Sequence, residues 1–81
     1  MIDLPYSLVI EATEEADYFS FYSEELEGFT GSGSSIEDCL HQARLGMKEH
    51  IELLVEHGLP VPPTNPDPLV SIRNDRKDAA A

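Results

Sequence analysis

The stretch GSSIEDCLHQARLGMKEHIELLVEHGLP, residues 33–60, decides the fold. Ile36, Leu40, Ala43, Met47, Ile51 and Leu54 recur every three or four residues, the spacing that lines one face of an α-helix. Ser35 is a good N-cap, and Asp38 stands where a capping box places its acidic partner, although Asp is shorter than the usual Glu. Glu37 and Asp38 suit the positive end of the helix dipole. Gly58 fits the left-handed position just past a helix end, and Pro60 prevents continuation. The spacing predicts a helix from about Ile36 to His57, some six turns at ~3.6 residues per turn.

Upstream the period is two. Tyr6, Leu8, Ile10 and Ala12 alternate with Ser7, Val9 and Glu11, which predicts a strand over Tyr6–Ala12 with Pro5 at its edge. Thr13 to Asp17 has hairpin-loop length but no glycine, which argues against a two-residue primed turn. Tyr18 to Tyr22 reads as a second strand, with Phe19 and Phe21 on one face and Tyr18 and Tyr22 on the other. Ser23 to Gly28 is an acidic loop, and Phe29 to Gly33 makes a short third strand. Downstream, the prolines between Gly58 and Pro68 exclude a helix or a central strand. Leu69 to Arg73 alternates once more, and a strand there, reached by a helical crossover, runs parallel to one already in the sheet.

The expected fold is α+β, in the order β-β-β-α-β: a three- or four-stranded sheet with one long helix on one face. Residues 1–73 form the domain and 74–81 a frayed tail. One helix covers one sheet face, and the stripe from Ile36 to Leu54 should meet Phe19 and Phe21. Tyr18 and Tyr22 then stand opposite, with Val9 beside them if the alternation of the first strand has that register.

The charge is lopsided. Sixteen acidic residues face five basic ones, for a formal net charge of −11. Such a surface repels a phosphate backbone, so nucleic-acid binding is not expected. It favours a basic protein partner, or serves solubility alone. Cys39 is the only cysteine, which precludes an internal disulfide and fits a reducing compartment. No secretory signal and no membrane-length apolar run is seen, so a cytoplasmic protein is expected. A domain of 81 residues has a marginal core, burying only ~60–65% of its unfolded surface. That is one motive for self-association.

Several motifs carry a family likeness. Gly33-Ser34-Ser35-Ile36-Glu37-Asp38 resembles the helix opening of the HicB antitoxin family, and Gly58-Leu59-Pro60-Val61-Pro62-Pro63 its helix stop. Tyr18-Phe19-Ser20-Phe21 resembles that family's aromatic second strand, and Leu26-Glu27-Gly28-Phe29 the turn after it. The resemblance implies a partial ribonuclease-H-like fold. It implies an antitoxin that neutralises a small, basic, mRNA-cleaving HicA-type toxin, and a tendency to form dimers or larger oligomers. The alternative is a solitary HicB-like oligomer, structural or regulatory, with no toxin.

No catalytic, cofactor or metal site emerges from the sequence. Nuclease chemistry of the ribonuclease-H kind needs carboxylates converging on metal ions, and the middle of the first strand is Leu8-Val9-Ile10. His50 and His57 share a helix face but stand ~10 Å apart along it, too far for one zinc. Cys39 reads as a small core residue rather than a reactive thiol. Gly31-Ser32-Gly33 precedes a helix without the lysine of a phosphate loop. The candidate interface, toward a partner or another copy, is Tyr18 and Tyr22 on the sheet with Glu24, Glu25 and Glu27 in the acidic loop. The plain alternative for the three glutamates is a solvated loop.

Overall fold

The computed structural model describes residues 3–74. Three strands, β1 (Leu8–Ala12), β2 (Phe19–Tyr22) and β3 (Thr30–Gly33), precede one helix, α1 (Ile36–Glu56), and a last strand, β4 (Val70–Asn74). The sheet order is β3-β2-β1-β4, with β1–β2 and β2–β3 antiparallel and β4 parallel to β1. The expected β-β-β-α-β architecture and the parallel return of the last strand are both present.

Backbone register sorts the side chains into rows. On the helix side the central row is Ile72, Ile10, Phe21 and Gly31, flanked by the row Asn74, Ala12, Phe19 and Gly33. Leu8, Ile10 and Phe21 are buried there together with Cys39, Ala43 and Met47 of α1. Phe19, Ile36, Leu40, Ile51 and Leu54 pack around them half-buried, so the helical stripe and the two phenylalanines do meet. Gly31 makes the central row possible. A β-carbon there would fall on the ring of Phe21, so only a glycine lets that ring lie flat over β3. Phe21 in turn meets Phe29 at 5.7 Å between ring centroids.

Each element ends where a local or distant partner takes the backbone. The first strand starts at Leu8, not at Tyr6. The Ser7 N–H is turned to the Glu25 carboxylate, 2.7 Å away, and the Leu8 N–H meets the Leu69 carbonyl at 2.9 Å. The second strand starts at Phe19, since the Tyr18 carbonyl accepts from Thr13 Oγ1 at 2.6 Å. A threonine hydroxyl, rather than a glycine, closes that hairpin. The third strand starts at Thr30 because the Phe29 N–H closes a turn onto the Leu26 carbonyl.

At the helix start, Ser35 Oγ accepts from the Asp38 N–H at 3.0 Å, as expected of the cap. The short Asp38 carboxylate accepts from the Ser34 N–H at 2.9 Å, one residue further out than in an ideal box. That backbone hydrogen bond, then one from Gln42, holds the Asp38 carboxyl below its ordinary pKa. At the other end α1 stops at Glu56 and His57 is the C-cap. Gly58 adopts φ +69°, and the N–H groups of Gly58 and Leu59 return to the carbonyls of Val55 and Leu54. This is a Schellman motif, which needs the left-handed residue that glycine supplies.

The fourth strand extends one residue beyond expectation, so Asn74 is a strand residue and not the first of a tail. The rest of the expected tail, residues 75–81, lies outside the described residues. The helix lies over β3, β2 and β1 but does not reach β4. Ile72, although in the same row as Ile10, is therefore 55% exposed.

Candidate functional site

The helix-free face of the sheet carries two rows, Ser71–Val9–Tyr22–Thr30 and Arg73–Glu11–Ser20–Ser32. Tyr22 is half-buried, and its hydroxyl accepts from Arg73 Nη1 at 3.3 Å. Arg73 also stands 3.8 Å from the Glu11 carboxylate. Tyr18 lies just outside β2 and is 46% exposed. The face thus bears one tethered tyrosine and Val9 among hydroxyls and an ion pair. It is more polar than a paired-tyrosine patch would be.

The acidic loop divides in two. Glu25 is occupied within the fold: one carboxylate oxygen accepts from the Ser7 N–H, the other from Asn65 Nδ2 at 2.9 Å. Asn65 also donates its own N–H to the Pro5 carbonyl at 2.8 Å, and the Leu69 N–H donates to Ser7 Oγ at 2.9 Å. Pro5–Ser7, the acidic loop and the segment leading to β4 are latched together by this cluster, with Glu25 at its centre. All three expected docking glutamates are exposed, but Glu25 is a structural acceptor within the fold.

Glu27 lies on the other side of the loop. It lines an open groove of about 550 Å³ with Leu26, Leu54, Leu59, Val61 and prolines 60, 62 and 63. The groove sits at the C-terminal end of α1. One wall is held by Tyr6, whose hydroxyl donates to the Pro62 carbonyl at 2.6 Å. Burial, and secondarily the Glu25 carboxylate, push the Tyr6 phenol above its ordinary pKa, so it remains a donor at any physiological pH. The structure thus separates the expected interface residues: Tyr22 belongs to the sheet face and Glu27 to the groove.

The remaining reactive side chains have structural neighbours. Cys39 is fully buried, and burial, then Asp38, raises its thiol pKa. His50 packs edge-on against Phe29 at 6.0 Å. His57 Nδ1 lies 2.8 Å from the Leu53 carbonyl, at the negative end of the helix dipole. Among the described residues no three of His, Cys, Asp and Glu are grouped to hold a metal ion. No helix among them is long and apolar enough to cross a membrane.

Sequence reasoning missed the latch because its partners are far apart in the chain; Glu25 and Asn65 are separated by 40 positions. It missed the groove because the proline-rich run reads as a connector. Leu59 and Val61, apolar residues in a run that a mere linker would fill with polar ones, were the available signal. Comparison with protein-family models, with characterised proteins and with solved structures finds no match to this chain.

Proposed function

We propose that this chain is a partner-binding module of the HicB kind, an antitoxin domain that neutralises a small, basic, mRNA-cleaving HicA-type toxin by covering it. One observation carries the reading. A net charge of −11 is spread over a β-β-β-α-β fold whose central carboxylate, Glu11, faces Arg73 rather than a second acid. In a ribonuclease-H-like frame the metal-binding acids would stand at mid-β1 and at the end of β4. Those positions hold Ile10, and Arg73 with Asn74. The sheet therefore supports association better than hydrolysis, and its acidic surface suits a basic protein through steering and complementarity. In this reading the protein works in the cytoplasm, with Cys39 reduced, and binds no nucleic acid by itself.

The test is direct. The purified chain is added in increasing ratio to a purified small, basic HicA-type toxin, taken from a reading frame beside its own where one is found, in the presence of RNA. Cleavage should stop near stoichiometric ratio, with weaker inhibition as salt rises. Undiminished cleavage at excess chain overturns the proposal.

A second reading, a solitary oligomer with a structural or regulatory role, is favoured by β4. Ile72 is 55% exposed on an edge strand that the helix leaves uncovered, and Leu69, just before that strand, is 64% exposed. Edge strands with apolar side chains invite pairing with another copy. Sedimentation equilibrium separates the readings. A concentration-dependent dimer that persists without any basic partner supports the oligomer. If Tyr18→Ser with Tyr22→Ser leaves that dimer intact, its interface lies at the strand edge and not on the helix-free face.

A further inference from the structure

We infer that the groove at the C-terminal end of α1 is where the partner docks, and that it receives a segment with an apolar anchor flanked by lysines or arginines. The inference deepens the partner-binding reading and rests on it, adding a place and a chemistry.

Three features meet in the groove. Its lining is apolar, with Leu26 buried beneath and Leu54, Leu59 and Val61 around it. Leu59 and Val61 are 53% and 38% exposed. Apolar side chains left open in a concave site with few polar neighbours are the usual anchor points for a binding partner.

The second feature is that the groove is preformed. Prolines fix φ along its wall, the Schellman motif fixes the turn into that wall, and Tyr6 ties Pro62 to the body of the domain. A rigid wall lowers the ordering cost of binding.

The third is charge. Glu27 lines the groove, which opens at the C-terminal end of α1 beside Leu54. The last turn of α1 holds no Lys or Arg at the negative end of the helix dipole, where the His57 ring meets only the Leu53 carbonyl among the terminal carbonyls. An apolar centre beside Glu27 and the negative end of the helix, in a chain of net charge −11, selects an apolar anchor with cationic flanks. A second copy, carrying the same −11, brings the wrong charge. Residues 75–81 of this chain, Asp-Arg-Lys-Asp-Ala-Ala-Ala, hold no apolar side chain larger than alanine to serve as the anchor.

The probe is a synthetic peptide with a leucine-phenylalanine-leucine centre and lysines on both sides, titrated into the isotope-labelled full chain and followed by amide NMR. The amides of Glu27, Leu54, Leu59 and Val61 should move, and a version with glutamates in place of the lysines should leave them still. Replacing both Leu59→Ser and Val61→Ser should weaken peptide binding about tenfold or more, as loss of a central anchor does. Glu27→Lys should weaken it about threefold, and less at high salt. All three side chains are exposed or at the surface, and unchanged β1 and β2 amides verify that the variants fold. Shifts confined to Ser20, Tyr22 and Ser32 overturn the inference but leave the partner-binding reading standing. No shift anywhere also overturns it, and the RNA-cleavage assay then judges the broader reading on its own. Movement of the groove amides when the chain alone is concentrated assigns the site to a second copy, and overturns it as well.

Discussion

Val9 and Ile10 are neighbours in β1 with nearly the same side chain, yet they inhabit different surroundings. Ile10 is fully buried between β4, β2 and the helix, whereas Val9 is half-buried on the helix-free face beside Tyr22 and Ser71. The same division runs through the sheet. One face is filled by Leu8, Ile10, Phe21 and a helix; the other holds hydroxyls, one tyrosine and the Glu11–Arg73 pair. The contrast teaches that counting aromatics on a face says less than asking what their neighbours are. Tyr22 sits in a row of Ser71, Val9 and Thr30 and is tethered by Arg73, so it does not by itself make an apolar interface.

The sharpest way to break this contrast is to truncate both neighbours. Ile10→Ala should cost about 3 kcal/mol, from lost burial plus a cavity, and Val9→Ala about 1 kcal/mol or less. Urea melts of the two variants check it. Equal costs would mean that the helix-free face is covered in solution, which would turn the comparison toward the oligomer.

Next in size is Gly31→Ala. The added methyl lands on the Phe21 ring, which is enclosed by the core and has little room to yield. A loss of about 2 kcal/mol is expected from overpacking. Phe21→Leu in the same chain should return part of it, measured as a coupling in a double-mutant cycle. An additive double mutant would show that the two residues do not clash.

The latch offers a smaller effect, at the end of the sheet where the two faces meet. Glu25→Ala removes acceptors for the Ser7 N–H and for Asn65 in an exposed setting. About 1 kcal/mol should be lost. No change in the melting curve would return Glu25 to the list of free docking residues. The smallest effect belongs to Tyr22→Phe, which deletes one surface hydrogen bond from Arg73 and should alter stability by no more than about 0.5 kcal/mol.

How much of this was legible in the sequence depends on how far each signal reaches. The helix was legible at both ends because its caps are local: Ser35 and Asp38 at one end, Gly58 at the other, all within a few residues of what they cap. The alternation in β1 was legible as burial but not as strand length. Tyr6 keeps the inward parity, yet the ladder begins only at Leu8 because the Ser7 N–H is turned to the Glu25 carboxylate, 18 positions away. Glu25 shows the same limit. In sequence it is one acid among three, and only folding brings Asn65 beside it. Glu27, two residues on, lines a groove, but most of its apolar companions lie in the proline-rich run and come beside it only when the chain turns back at Gly58.

The way β4 is attached has a consequence for the order of folding. The two hairpins and the helix are made of contacts between nearby residues, which close quickly. The last strand must be brought back across 62 positions before the Leu69 N–H can find Ser7, and contacts of such separation are slow to form. With no helix above it, β4 also has the least to hold it once formed. Native-state hydrogen exchange should therefore find the amides of β4 released first and those of β1 and β2 last. The edge that closes the sheet is then its most transient part, and each opening briefly exposes the ladder groups of β1 to any other strand within reach.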